Sequence, residues 1–250
     1  MSPLHVELSM PIAVFILVLF FASTASAQEL SPGKLRLKEV MEFQAQLKAG
    51  NTSLMDVRER WMLAAKDPAV KKERDALAIA YASRATVERD LGNVETADSL
   101  FTLAMPIFEL KSSKAFFLLS HANLKKLNGK PSAAIELFGE LATEFDSLPQ
   151  LKDIKFYAKS GYAELAYAID ASRQITLLAM RNAKLQPAAI KTLNEVAKKH
   201  PNDQLGLMAL IGLGRLDPKN AKSIEARKNK LIEKNRGFDA LATEFARQFD

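Results

Sequence analysis

The chain has no cysteine. That removes disulfides, thiolate metal sites, a cysteine nucleophile and attachment through a lipidated cysteine in one step. Proline and glycine are sparse, ten of each in 250 residues, which argues against a turn-rich all-β protein. Aromatic residues make up 8% of the chain and include one tryptophan, Trp61. There are three histidines, so a histidine-based catalytic or metal constellation has little to draw on.

What is present is ordinary for a globular protein: 48% apolar and 26% charged residues, in a chain long enough for a sizeable core. The apolar stretches are rich in Ala, Leu, Lys and Glu, which are good helix formers. The expected fold class is all-α.

The first 27 residues differ from the rest. Pro11 to Ala22 is an uncharged apolar run of twelve, followed by Ser23-Thr24-Ala25-Ser26-Ala27 and then Gln28. Ala25-Ser26-Ala27 has the small-x-small pattern of a signal-peptide cleavage site behind an apolar segment of suitable length. A retained membrane anchor is the alternative. A span needs about 20 apolar residues, and Glu7 interrupts extension toward the N-terminus. The segment ahead of the run, Met1 to Met10, holds no Lys or Arg, where a positive region is usual. The expectation is a signal peptide over 1–27, cleavage near Ala27, and a mature chain that is periplasmic or secreted.

Local signals divide the mature chain into helices. One is expected from Lys34 to about Lys48, closed by Gly50. A second runs from Leu54 to Lys66, capped by Ser53. Asn51-Thr52-Ser53 is also a glycosylation sequon, meaningful only in a host that glycosylates. A third helix starts at Asp67-Pro68, with Asp67 as cap and Pro68 at the first helical position, and continues to Leu91 before Gly92. Val94 to about Phe108 returns after it. Ser113–Leu127 and Pro131–Phe145 follow, separated by Asn128-Gly129. Leu148-Pro149 precedes Lys152 to about Asp170. Gln174–Leu185 with Pro187–His200, and Leu205–Leu213 with a last helical stretch from Pro218 to Phe249, bent or broken near Gly237, complete the reading.

One spacing occurs twice. Gly92, Ala97, Phe101 and Ala104 are matched by Gly129, Ala134, Phe138 and Leu141, 37 residues later. A period of this size built from helical segments points to stacked helix pairs. Tyr81 and Ala85 precede the first set, and Leu118 and Ala122 the second. Generic hairpin packing also places Ala and Phe at i, i+4, but two coincident sets, each opening at a glycine turn, favour a repeat.

These residues resemble tetratricopeptide repeats, helix–turn–helix units of about 34 residues. The likeness is carried by residues 77–145. A degenerate later unit gives Ala189, Leu193 and Pro201, the last matching the family's helix-ending proline. Glu88 and Lys125 stand where the motif has a second large residue, and the longer period implies an insertion around Glu109 to Ser112. The resemblance implies a right-handed α-solenoid of antiparallel helix pairs. It divides the chain into a signal peptide (1–27), N-terminal helices (28–76), repeats (77–216) and a basic C-terminal capping helix (217–250). It also implies that the first helix of each repeat lines a groove for a protein or peptide. Transferred here, that lining is Ala82, Thr86 and Arg89 from one unit and Phe116, Leu119, Asn123 and Lys126 from the next. One subclass clamps a C-terminal carboxylate with Lys and Asn. This chain has Ala82 and Thr86 at the first of those positions, so that ligand is not expected. Packing of the N-terminal helices 34–66 over the same residues remains open as the alternative.

No catalytic set stands out. His121 sits between Ser120 and Ala122 on a repeat helix with no paired nucleophile. His200 ends a helix, where a cation is favoured. Gly212-Leu213-Gly214 lacks the Lys-Ser/Thr of a phosphate loop and reads as close helix packing or a helix end. Glu140 and Glu144 read as a solvated stripe rather than an acid/base pair. No enzyme activity, metal or cofactor is expected.

The charge is uneven. The chain carries +6 overall, yet Arg181 to Arg236 holds thirteen Lys and Arg against five Asp and Glu, leaving −2 for the rest. Lys222, Arg227, Lys228, Lys230 and Lys234 form the candidate basic surface. It reads either as the polar outer face a terminal repeat needs or as a site for an anionic wall polymer, a lipid surface or an acidic protein. Export argues against nucleic acid, as does the lack of stacking aromatics in this segment before Phe238. The leading expectation is an exported, non-enzymatic adaptor that binds a protein in the cell envelope. Binding to the wall or membrane surface through the basic helix is the alternative.

Overall fold

The computed structural model describes residues 30–144 and 163–249. The expected signal segment 1–27, Leu148-Pro149 and the start of the helix expected from Lys152 lie outside them. Among the described residues every regular element is helical. The chain divides into two compact units, Met1–Phe117 and Leu118–Asp250, with the division falling inside one helix.

The first unit holds α1 (Pro32–Ala45), α2 (Leu54–Lys66), α3 (Pro68–Lys71), α4 (Arg74–Asp90), α5 (Val94–Ala104) and the start of α6 (Lys111–Leu127). Gly50 closes the 3-10 turn after α1 with φ +71°. The expected Ser53 cap on α2 is a full capping box. The Asp56 amide donates to Ser53 Oγ at 3.2 Å, and the Ser53 amide donates to Asp56 Oδ2 at 3.0 Å, satisfying two donors that a helix start leaves open. The Trp61 indole N–H, at the buried centre of α2, donates to Gln44 Oε1 of α1 at 2.7 Å.

The single helix expected from Asp67 to Leu91 is instead two. Asp67 caps a four-residue α3, its Oδ1 accepting from the Ala69 amide at 2.8 Å, and α4 starts afresh at Arg74. Glu73 lies between them. Its carboxylate accepts the Ser31 hydroxyl at 2.6 Å and the Gly33 amide at 3.0 Å. It thereby satisfies the start of α1, 40 residues away, from the junction where the backbone is extended at φ −114° and ψ 109°. A β-carbon at position 33 would meet that carboxylate.

α4 packs on α2 and α5. Its interior positions Ala76, Ala78, Ala80, Ala82 and Ala85 are fully buried and small, which permits close approach of neighbours. Gly92, with φ +82°, turns the chain into α5, in the left-handed conformation that glycine adopts without steric cost. Ala97, Phe101 and Ala104 are buried on α5. The helix ends before the expected Phe108, because Pro106 has no amide to donate and a 3-10 turn takes over at Met105–Ile107. In the stretch read as an insertion, the Glu109 and Leu110 amides both donate to Asp75 Oδ1, at 2.8 and 3.0 Å.

The second unit holds the rest of α6, then α7 (Pro131–Glu144), α8 (Ala163–Arg181), α9 (Gln186–Lys199), α10 (Gln204–Leu216), α11 (Ala221–Lys234) and α12 (Phe238–Arg247). Gly129, with φ +68°, turns α6 into α7, where Ala134, Phe138 and Leu141 are buried. The break expected between Asp170 and Gln174 is absent. α8 runs straight through it, with Arg173 donating to Asp170 one turn back at 2.9 Å. No Gly or Pro interrupts the run, so nothing local ends the helix.

α10 is the centre of this unit. It is apolar nearly all round, with only Gly214 and Arg215 exposed, and it packs against α8, α9, α11 and α12. A helix hydrophobic on every side is a core helix. Burial of Leu207, Met208 and Leu213, each fully enclosed, contributes about 1.5–3 kcal/mol per side chain. Gly212 permits the approach of α8 and α9: a β-carbon there would meet Thr176 Oγ1 and Leu193 Cδ1. The helical stretch expected after Pro218 is two helices, broken at Asn235 to Gly237, where Gly237 has φ +86°. α12 buries Phe238, Leu241 and Phe245 and packs on α10 and α11.

Candidate functional site

The residues expected to line a groove divide between the two units. In the first, Ala82 and Thr86 are 0 and 1% exposed. The Thr86 hydroxyl donates to the Ala82 carbonyl at 3.2 Å, and α2 packs on their helix. Neither is open to a ligand, so both are corrected from groove lining to core. Arg89 is half-buried and pairs with Asp90 at 2.7 Å. Phe116, half-buried, meets Phe117 edge to face at 5.1 Å. In the second unit Leu119 is buried and Asn123 half-buried. Lys126 Nζ donates to Gln174 Oε1 of α8 at 3.0 Å. Burial pushes the Lys126 ammonium below its ordinary pKa, although the nearby Asp170 opposes the shift. It therefore works as a tie between helices.

The basic residues are arranged differently from a single stripe. α11 lies between two clefts. Toward α12, Lys222 and Lys228 line one of them with Arg215, Ile211 and Ile224. This flank is mixed in sign, because Glu225 lines it too and Lys228 Nζ pairs with its carboxylate at 2.8 Å. Toward α9, Arg227, Lys230 and Lys234 line the other, together with Lys198 from α9 and Asn202 beyond its end. Its lining also includes the buried apolar residues Ala197, Leu210 and Leu231 and the exposed Pro201. Its volume is about 400 Å³, within the usual range of ligand sites of about 300–1,000 Å³. No carboxylate lines it. The four cations are exposed, and Arg227 reaches only the Asn194 side-chain oxygen, at 3.4 Å.

Sequence reasoning found three of these four cations but not Lys198, which reaches the cleft only because α9 and α11 both pack on α10. Its signal in the sequence is the His200-Pro201 helix end, which brings the last turn of α9 to the cleft.

Two buried polar centres were not anticipated as such. Glu88 is fully buried. It accepts from Arg58 of α2 at 2.7 Å, from Arg84 at 3.3 Å and from the Asn93 side chain at 2.8 Å. Burial alone would raise its pKa, but the Arg58 hydrogen bond and charge, with Asn93 and Arg84, hold the carboxyl below its usual range. His200 caps α9, and its Nδ1 lies 2.9 Å from Asp203 Oδ2. The other oxygen of Asp203 caps α10, accepting from the Leu205 and Gly206 amides at 2.9 and 3.1 Å. This corner is built to hold two helices together. His121 is buried on α6. Among the described residues no group of three or more His, Asp or Glu is placed to hold a metal ion, and no helix is long and apolar enough to cross a membrane.

No family model, curated protein or solved structure matches this chain.

Proposed function

We propose that the protein is a non-enzymatic, tetratricopeptide-like helical scaffold that binds a protein or peptide outside the cytoplasm after removal of residues 1–27. The supporting observation is the pair of left-handed glycine turns, Gly92 and Gly129. Each leads into a helix that buries the same Ala and Phe positions, Ala97 with Phe101 and Ala134 with Phe138. In this reading the helices form antiparallel pairs stacked as a right-handed solenoid, the architecture that offers surface rather than chemistry. Departures from the motif are accommodated by structure: Glu88 replaces a large apolar residue and ties α2, α4 and the Gly92 turn by hydrogen bonds.

N-terminal sequencing of protein from fractionated cells, followed by crosslinking in the envelope fraction, tests this. The expected result is a mature start at Gln28 in an extracytoplasmic fraction and a reproducible protein partner. A retained Met1 in the cytosol, or repeated failure to find any protein partner, would overturn it. The second reading, binding to an anionic wall polymer or lipid surface, is favoured by one observation, the exposed cations of α11.

A further inference from the structure

The cleft between α9 and α11 has features that a merely solvated face lacks. A solvated face mixes charges and is convex. This site is concave, its walls carry Lys198 on one side and Arg227, Lys230 and Lys234 on the other, and no carboxylate lines it. Glu225 belongs to the lining of the neighbouring cleft, and Glu233, though on α11, lines neither. Among the described residues none of the four cations has an ion-pair partner within 4.0 Å. Like charges gathered without counter-charge repel each other, which is tolerable in water but turns into attraction for an anionic ligand.

Arg227, Lys230 and Lys234 stand at i, i+3 and i+7, on one face of α11. At a rise of about 1.5 Å per residue they form a row roughly 10 Å long. An extended peptide advances about 3.3 Å per residue, so about three to four residues match the row. The apolar part of the lining, the buried Ala197, Leu210 and Leu231 with Pro201, suits an aliphatic side chain beside the carboxylates. A bilayer presents a broad surface that cannot follow a concave wall, whereas a single extended chain can. We propose that this cleft binds an acidic, Leu-containing extended segment of a partner protein. The proposal rests on the scaffold reading and names the site and chemistry of its partner.

The test uses the mature full chain and a fluorescein-labelled peptide of alternating Glu and Leu, with alternating Lys and Leu as the counterpart. Binding is read by fluorescence anisotropy. The cleft variant carries Arg227→Glu, Lys230→Glu and Lys234→Glu. A charge-matched control carries Lys48→Glu, Lys71→Glu and Lys72→Glu, all exposed and in the other unit. Circular dichroism and thermal melts check that both remain folded. The expected result is binding of the Glu peptide alone. Affinity falls at least roughly tenfold in the cleft variant, the size that three exposed ion pairs account for. It is near wild type in the control and weakens as salt rises toward about 0.5 M. Equal loss in both variants shows an unspecific charge effect and overturns the proposal, as does absent peptide binding. Vesicles of phosphatidylcholine with and without phosphatidylglycerol form the second arm. Cleft-dependent binding to the anionic vesicles without binding to the peptide assigns the site to lipid and overturns the proposal. If envelope crosslinking still yields a protein partner while the peptide fails, the cleft assignment alone falls and the scaffold reading stands.

Discussion

Glu88 is where the residue scale is most instructive. A carboxylate inside an Ala-rich helix face conflicts with the pattern around it, and three donors resolve the conflict. Glutamine at this position keeps one acceptor oxygen for Arg58 and Arg84 but loses the charge, and it turns the other oxygen into an NH2 donor that faces the Asn93 side-chain donor. Glu88→Gln is therefore expected to destabilise the first unit by about 2–3 kcal/mol, the range for hydrogen bonds to charged groups and broken buried pairs, read by urea denaturation. The pH dependence has a definite sign. The folded pKa lies below the unfolded value, so the stabilisation is present above the unfolded carboxylate pKa. It is lost as pH falls through the folded value. The gap between wild type and Glu88→Gln should thus be widest at neutral pH and narrow as pH falls below the ordinary carboxylate range. A gap independent of pH contradicts the assignment. Asp203 is the corresponding group in the second unit. Asp203→Ala removes a helix cap and the partner of His200 together, and about 2 kcal/mol is expected in the same assay. The sequence placed His200 at a helix end through the dipole rule. It did not show Asp203 as its partner, because Asp203 is equally readable as a turn residue.

At the scale of elements, what was legible follows what is local. The bounds of α2 were read correctly from Ser53 and the Asp67-Pro68 stop, since capping depends on neighbours in sequence. The glycine turns at 92 and 129 were legible for the same reason. The break at Glu73 was not, because no Gly or Pro marks it and its side-chain partners, Ser31 and Gly33, lie some 40 residues earlier. The continuity of α8 through Asp170–Gln174 differs from the expected break, and no Gly or Pro lies there to end the helix. Burial of Ala82 and Thr86 was open in the sequence, since the cover on α4 comes from a helix earlier in the chain. α10 supplies an internal control. Gly206→Ala would drive a β-carbon into the His200 carbonyl oxygen, and overpacking of this kind costs about 1–3 kcal/mol. Gly214→Ala, on the same helix, meets nothing within 4 Å and should be neutral or stabilising by up to about 1 kcal/mol through helix propensity. Thermal melts of the two variants should move in opposite directions, or Gly206 alone should move downward. A comparable loss at both sites contradicts the close approach at Gly206.

For the whole molecule, charge and fold assign separate tasks to separate regions. The residues that carry the repeat resemblance are spent largely on packing. Outside them, Lys198, Arg227, Lys230 and Lys234 are exposed and gather in one cleft between α9 and α11. The excess charge from Arg181 to Arg236 was legible by counting. Its division into a flank with an acid partner and a flank without one was not, because that depends on which face of α11 meets which neighbour. The central proposal is that this molecule holds a partner protein in the α9–α11 cleft. The most direct measurement places a photo-crosslinking amino acid at Asn202, exposed at the rim of the α9–α11 cleft, in the full chain expressed in its own cells. The account predicts a discrete protein adduct that disappears when Arg227, Lys230 and Lys234 are reversed in charge. Adducts only to lipid or wall polymer, or none that depend on those three cations, would contradict it.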